Sequence, residues 1–376
     1  MNNSGQLPPL TTSLADNIRV LIVNDSPMLT AVLQAILETD SRYQVIGSVN
    51  DGKKAVDFFQ RMTADIVLMD IHMPNMGGVT ATQKIIQHWP KTRILIVTAT
   101  VTMNMSFIFS ALNAGALDYV QTPTLPFKPG SSVSSEQLRE SGARLLSKLK
   151  SLSNLELSGL ERSIYTHPAR SLQRAPPQRS STSSQVIVIG CSTGGPSTLA
   201  LLLGKLTDVP ACPIVICQHI EPGFSGDFAS WLEDEVGVPT QLAKDRCEMH
   251  AGHLYIVPAG RNLGLTVGGR FDVSTPPGGQ IFTPNIDFLF SQFAEYFSER
   301  LLGIVLTGMG ADGAKGAKDI IRCGGKVLTQ DSRSALIDSM PKNTRKAISS
   351  HTGYMPNQLT VMMERWMHNM PIREGG

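Results

Sequence analysis

Residues Ile18-Arg19-Val20-Leu21-Ile22-Val23-Asn24-Asp25-Ser26-Pro27 decide the fold of the front half. A β-branched apolar run ends at Val23. Two polar residues follow, then a serine, which favours a helix N-cap, and a proline placed at the first helical position. Beyond it Leu29, Val32, Leu33, Ile36 and Leu37 recur at helical spacing, so one face of the segment is apolar. The unit is therefore strand, tight turn, helix. It repeats, with further strands expected over 45–49, 65–69, 93–98 and 117–120. Alternating strands and helices require a parallel sheet covered on both faces. The class is α/β, a doubly wound (βα)5 unit, and its chemistry belongs outside the carboxyl ends of the strands.

The rear half follows the same logic. Strands are expected over 186–190, 214–217, 253–257, 301–307 and 325–329, with helices over 196–206, 224–236, 284–300, 314–323 and 358–368. Segments 263–267 and 270–275 flank Gly268-Gly269, which reads as a two-residue hairpin loop. This is a second doubly wound α/β domain carrying a β-hairpin. Between the halves, 156–183 holds Pro168, Pro176 and Pro177, a Ser/Thr run, four arginines and few large apolar residues. Such a segment cannot bury enough surface to offset ordering, so it reads as a flexible linker. The expected boundaries are 17–155, 156–183 and 184–373.

Composition narrows the function. Of 376 residues, 33 are Lys or Arg and 31 are Asp or Glu, a formal net charge of +2. A nucleic-acid partner would demand a clustered basic surplus, and none is present. Hydrophobic residues make up 41% and charged residues 17%, so the chain can fill real cores. No apolar run is long enough to span a bilayer, and residues 1–17 lack the basic and apolar blocks of a secretory signal. Cys191, Cys212, Cys217, Cys247 and Cys323 form no C-x-x-C pair. The expectation is a cytoplasmic protein whose cysteines are small apolar residues, without structural zinc.

In the front half Asp25, Asp70 and Thr98 all fall at strand ends. Asp25 and Asp70 should converge there, and two carboxylates supplemented by water suit Mg²⁺. A strand-end aspartate can equally be a helix cap. With Met73-Pro74, Gly77-Gly78 and Gly115-Ala116-Leu117-Asp118-Tyr119, the set resembles the phospho-receiver domain of two-component response regulators. That resemblance implies that Asp70 is the aspartyl-phosphate acceptor, that Asp25 and Asp70 hold Mg²⁺, and that Thr98 is the switch hydroxyl. Two positions depart from the family pattern. Asn24-Asp25 stands where an acidic pair is usual, and Thr122-Pro123 where a lysine precedes the proline. Threonine supplies neither the charge nor the reach of lysine.

In the rear half Gly190-Cys191-Ser192-Thr193-Gly194-Gly195 lies between a strand and a helix beginning at Pro196. A serine on such a turn is exposed, and the helix N-terminus offers N–H groups to a developing oxyanion. His219 follows the next strand. Asp312 follows another, in Thr307-Gly308-Met309-Gly310-Ala311-Asp312-Gly313. Three strand ends thus supply a nucleophile, a base and an orienting carboxylate, in an order that excludes an ordinary α/β-hydrolase. His250 and His253 read as loop and strand-start residues, not metal ligands. A competing reading takes Gly308, Gly310 and Gly313 as G-x-G-x-x-G with Asp331 as the ribose-binding acid, giving a dinucleotide-dependent oxidoreductase. It leaves too little chain after Asp331 and ignores Ser192 and His219.

Taken together, Gly190 through Gly195, Gln218-His219, the 253–258 and 284–290 regions and Thr307 through Gly313 resemble the catalytic domain of chemotaxis protein-glutamate methylesterases. The resemblance implies that Ser192 is the nucleophile, His219 the base and Asp312 its orienting carboxylate, with backbone around Thr193 and Met309 as oxyanion site and no cofactor for the esterase reaction. It implies hydrolysis of glutamate methyl esters on methyl-accepting chemoreceptors, with deamidation of receptor glutamines as a second activity. A chemosensory histidine kinase would be the phosphodonor, the protein would be a monomer, and the unphosphorylated receiver would cover the rear cleft. Thr283-Pro284-Asn285 and Ser339 depart from the family pattern. The Asn-Asp and Thr-Pro pairs resemble the branch serving alternative, surface-sensing systems. A non-catalytic phosphoryl sink that binds receptor or kinase is the reading of another class.

Overall fold

The front domain is a five-stranded parallel sheet in the order β2-β1-β3-β4-β5. Its elements run β1 (Ile18–Val23), α1 (Pro27–Leu37), β2 (Tyr43–Val49), α2 (Gly52–Phe59), β3 (Ile66–Met69), α3 (Gly78–His88), β4 (Arg93–Thr98), α4 (Met105–Asn113), β5 (Asp118–Gln121), α5 (Ser135–Ser141) and α6 (Ala143–Ser153). This computed structural model describes residues 17–98, 105–125, 133–155, 185–221, 223–276 and 284–372; the linker expected over 156–183 lies outside them. Ser26 caps α1 by accepting a hydrogen bond from Leu29 N at 3.4 Å, with Pro27 at the first helical position. β1 and β3 are neighbours, in register from Val20 opposite Ile66 to Val23 opposite Met69. That register sets Asn24-Asp25 and Asp70 side by side past the strand ends.

The rear domain is a six-stranded parallel sheet in the order β13-β12-β6-β7-β9-β8. It comprises β6 (Val186–Cys191), α7 (Gly195–Leu203), β7 (Ile214–Gln218), α8 (Ser225–Val236), β8 (Thr240–Leu242), β9 (Leu254–Ile256), the antiparallel hairpin β10 (Asn262–Leu265) and β11 (Phe271–Ser274), α9 (Ile286–Phe297), β12 (Leu301–Val305), α10 (Ala314–Arg322), β13 (Lys326–Thr329), α11 (Ser339–Ala347) and α12 (Pro356–Met367). The central strands β12, β6 and β7 are buried along their whole length. Their adjacency brings the loops carrying Asp312, Ser192 and His219 to one edge.

Three expectations need correction. The hairpin loop has three residues, because Thr266 N donates to Arg270 O at 2.9 Å and leaves Val267, Gly268 and Gly269 outside the ladder. Gly269 takes φ +74°, a conformation that only glycine adopts without strain. The strand expected to reach Thr307 ends at Val305, since Thr307 N donates instead to the buried Gln330 side chain at 2.8 Å. β8 and α11 were not anticipated. β8 is three residues long, and α11 carries Pro341 in its first turn within a polar run.

The two domains share one apolar core cluster. Phe109 of α4 stacks on Trp231 of α8 with ring centroids 4.2 Å apart, and packs against Phe228 at 5.5 Å. Tyr119 of β5 lies 5.4 Å from Phe224. Phe109, Phe224 and Phe228 are essentially sealed from solvent.

Candidate active site

Ser192 begins the turn between β6 and α7. Its N–H donates to Thr307 O at 3.0 Å, and its carbonyl accepts from Gly195 N at 2.8 Å. Both bonds fix the turn, one to the loop after β12 and one from the helix it leads into. His219 directly follows β7, and its N–H donates to Cys191 O at 2.9 Å. The imidazole Nε2 meets Asp312 Oδ2 at 2.8 Å. Ser192, Thr193, His219 and Met309 line one cavity of about 500 Å³. The structure thus gathers all the residues expected in the rear site except Asp312, which stands behind His219.

Asp312 is the most tightly held of them. Oδ2 also accepts from Ile286 N at 2.9 Å, and Oδ1 from Asp287 N at 2.9 Å and Gly313 N at 3.0 Å. Two of these donors are the first N–H groups of α9, where the helix dipole favours negative charge. Burial alone would raise the Asp312 pKa. The bond from His219, the charge of that ring and the Ile286 and Asp287 amides reverse this and hold the carboxyl below the usual range. The role of the α9 N-terminus was not legible in the sequence, although its apolar helix was. Cys191, next to Ser192, is buried, and burial pushes its thiol pKa well up. It therefore stays a thiol and does not compete as nucleophile.

The glycine loop after β12 holds itself. Gly308 N donates to Ile337 O at 2.9 Å, Gly310 N to Ser339 Oγ at 3.3 Å and Gly313 N to Asp312. Asp331 is engaged by Arg333 at 2.9 Å. Glycine amides spent inside the protein cannot cradle a pyrophosphate, so the dinucleotide reading fails. Ser339, one of the departures, helps to tie this loop to α11, since Ser339 Oγ also donates to Gly310 O at 2.9 Å, beside Asn343 Nδ2 to the same carbonyl at 2.8 Å and Met340 N to Gly308 O at 3.0 Å.

Front-domain residues roof the cavity. Asp118, Arg144, Ser147, Lys148 and Ser151 all line it. Thr193 Oγ1 donates to Asp118 Oδ2 at 2.9 Å, and Lys148 Nζ meets Asp118 Oδ1 at 2.7 Å. Arg144 pairs with Glu221 at 3.2 Å, two residues past His219. Ser151 Oγ touches Met309 Sδ. Asp118 was visible in sequence only as part of a motif; its contact with Thr193 is a product of the docking.

The front site is looser. Asn24 Nδ2 donates to Asp70 Oδ2 at 3.1 Å, while Asn24 Oδ1 accepts from Ser26 N at 2.8 Å. Asp25 is exposed on the same rim. Burial pushes the Asp70 pKa up; the Ile71 N–H opposes this and the Asp25 charge adds to it, to reach about 6. Thr98 is buried at the end of β4 and its carbonyl accepts from Thr122 N at 2.9 Å. Thr122 Oγ1 is buried with no hydrogen-bond partner. No group of three or more His, Cys, Asp or Glu side chains placed to hold a metal occurs among the described residues. Asp25 and Asp70 nevertheless fit Mg²⁺, an ion satisfied by one or two carboxylates plus water.

Fold and sites define a receiver joined to a serine-hydrolase-like domain. The family profile for the response regulator receiver domain matches residues 20–126, and that for CheB methylesterase matches 187–360. The chain is 33% identical to protein-glutamate methylesterase/protein-glutamine glutaminase 4 of Myxococcus xanthus, over 87% of this chain and 90% of that one. It is 31% identical to protein-glutamate methylesterase/protein-glutamine glutaminase 3 of Anaeromyxobacter dehalogenans, over 93% and 99%. The crystal structure of the Thermotoga maritima CheB methylesterase catalytic domain is 29% identical, with a TM-score of 0.46, covering 50% of this chain and all of that one. The chain belongs to the protein-glutamate methylesterase/protein-glutamine glutaminase family, and is a response regulator with a methylesterase domain. Among the described residues no helix is long and apolar enough to cross a membrane.

Proposed function

We propose that Ser192, His219 and Asp312 form the catalytic triad of this methylesterase, acting on glutamate methyl esters of chemoreceptors and on receptor glutamines. The observation that carries this is the 2.8 Å His219–Asp312 bond beside Ser192 in one cavity. With Asp312 on Nε2, the other ring nitrogen, Nδ1, is the base. Ser192 Oγ attacks the ester carbonyl as His219 takes its proton. The backbone N–H groups near Thr193 and Met309 receive the oxyanion, and methanol leaves with the proton from His219. Water, deprotonated by the same ring, then releases the glutamate carboxylate. Asp312 holds the tautomer and stabilises the imidazolium. Each step is served by this chain's own groups. An intact triad favours this reading over a phosphoryl sink.

Asp70 is the phosphoacceptor, with a chemosensory histidine kinase as donor. Asp25 and Asp70 would hold Mg²⁺, which neutralises charge on a transferring phosphoryl group. Asn24 removes one negative charge from that site, and Thr122 brings no cation to the phosphoryl group. Coupling through Thr98 to the roof over the rear cavity is therefore weaker than a lysine would give. Ser192→Ala tests the assignment: methanol release from methylated receptor should vanish, and release at the wild-type rate would sink it.

A further inference from the structure

Resting on that reading of the triad, we infer that Gln218 is a positioning residue which fixes the spacing of nucleophile and base. The β6–β7 ladder ends with Cys191 opposite Gln218. Ser192 and His219 are the next residues on each strand, just where the two chains diverge. Gln218 spans them with one nitrogen. Nε2 donates to Ser192 O at 3.0 Å and to His219 O at 2.9 Å. Both hydrogens of a single carboxamide are thus spent on the carbonyls of the two reacting residues.

The rest of the side chain is built in with equal care. Gln218 is buried, and a Cβ on Gly195 would fall 2.0 Å from its Oε1. Glycine at 195 is therefore what admits the carboxamide to the turn. Oε1 has no hydrogen-bond partner. It lies against the first residue of α7, where the helix dipole favours the negative end of the amide. That environment explains which way round the carboxamide sits: oxygen to the helix, nitrogen to the two carbonyls. An unpaired buried oxygen costs free energy. That cost beside Ser192 is understandable if the nitrogen's two hydrogen bonds serve catalysis rather than stability alone. No atom of Gln218 needs to touch substrate for this role.

The test uses the full-length protein and methylated receptor. Gln218→Met keeps the shape and loses both bonds. Its kcat should fall about a hundredfold, the cost of a misplacement near 1 Å, with little change in KM. Gln218→Glu loses the donors and adds a charge beside His219. Its kcat should fall similarly, and the acidic limb of its kcat/KM profile should move to higher pH as the imidazolium is stabilised. Gly195→Ala, which displaces the carboxamide from the other side, should lower kcat without moving that limb. Combined with Gln218→Met it should cost little more than either change alone. Wild-type kcat in Gln218→Met, or a loss matched by a fall in the folded fraction, overturns the inference. Activity surviving Ser192→Ala would instead overturn the triad reading itself.

Discussion

Asp70 and Asp312 both lie beyond the carboxyl end of a strand in a parallel sheet, Asp70 directly after β3 and Asp312 farther on in the loop from β12 to α10, yet they are treated in opposite ways. Asp312 accepts four hydrogen bonds, two of them from the start of α9, and its carboxyl is held below the usual range. Asp70 accepts from Ile71 N and from the Asn24 amide, faces the charge of Asp25, and is pushed up to about 6. Position in the fold brings an aspartate to the site. The donors around it decide whether it is a fixed charge or a group left open to react. On the proposed reading, a carboxylate that orients a histidine is saturated with N–H groups, whereas one that attacks a phosphoryl group carries fewer donors.

The strongest way to break the comparison is to take the charge from Asp312. Asp312→Asn should lower methanol release by about 10³- to 10⁴-fold, because the wrong histidine tautomer is then favoured. Steady-state kinetics on methylated receptor would show this, and a loss below tenfold would remove Asp312 from the triad. On the other side, Thr122→Lys supplies the front site with the cation it lacks. Activation by a small-molecule phosphodonor should rise about three- to tenfold, as expected for one added charge pair near the surface. An unchanged ratio of activities with and without phosphodonor would show that Thr122 does not limit coupling.

The contact joining the two sites gives a smaller effect. Asp118→Ala removes both the Thr193 bond and the Lys148 pair. Basal activity without phosphodonor should increase about fivefold, corresponding to roughly 1 kcal/mol for a partly exposed pair. A basal rate that stays flat would mean that this contact does not hold the roof closed.

The smallest effect is on stability. A raised carboxyl pKa means that the native state binds a proton the unfolded state has released. Metal-free stability is therefore highest below the ordinary Asp value and declines as pH rises to about 6. Asp70→Asn should be free of that decline. Its Tm should exceed wild type by about 2–4 °C at pH 7.5 and converge with it below pH 4. Equal Tm values at both pH values would contradict the raised pKa.

Much of this was legible in the chain. The first and fourth strands have the predicted bounds, because the apolar β-branched runs that begin at Ile18 and Arg93 are buried in the sheet, and the first stops at the polar Asn24-Asp25. Ser192, His219, Asp312, Asp25 and Asp70 all sit at strand ends because a parallel sheet leaves its loops there. Other features depend on long-range closure. Thr307 leaves its ladder for Gln330, a residue in another loop, and no local pattern encodes that exchange. Two of the donors to Asp312 are backbone groups of Ile286 and Asp287, whose side chains say nothing about the service. α11 hides because it buries only Met340, Pro341 and Thr344, too few for a periodic signal.

The Phe109–Trp231 stack limits how the roof over Ser192 can open. Phe109 is sealed from solvent and Trp231 half-buried, and an aromatic pair contributes about 0.5–1.5 kcal/mol beyond the apolar area it buries. An effector binding event typically shifts a conformational balance by about 1–3 kcal/mol. Separating α4 wholly from α8 would forfeit that ring contact together with the buried faces of Phe109 and Phe228, so a motion that keeps the rings together is favoured. Such a motion would be a swing about the ring pair as a fulcrum, lifting α6 and Asp118 from the cleft while the aromatic contact persists.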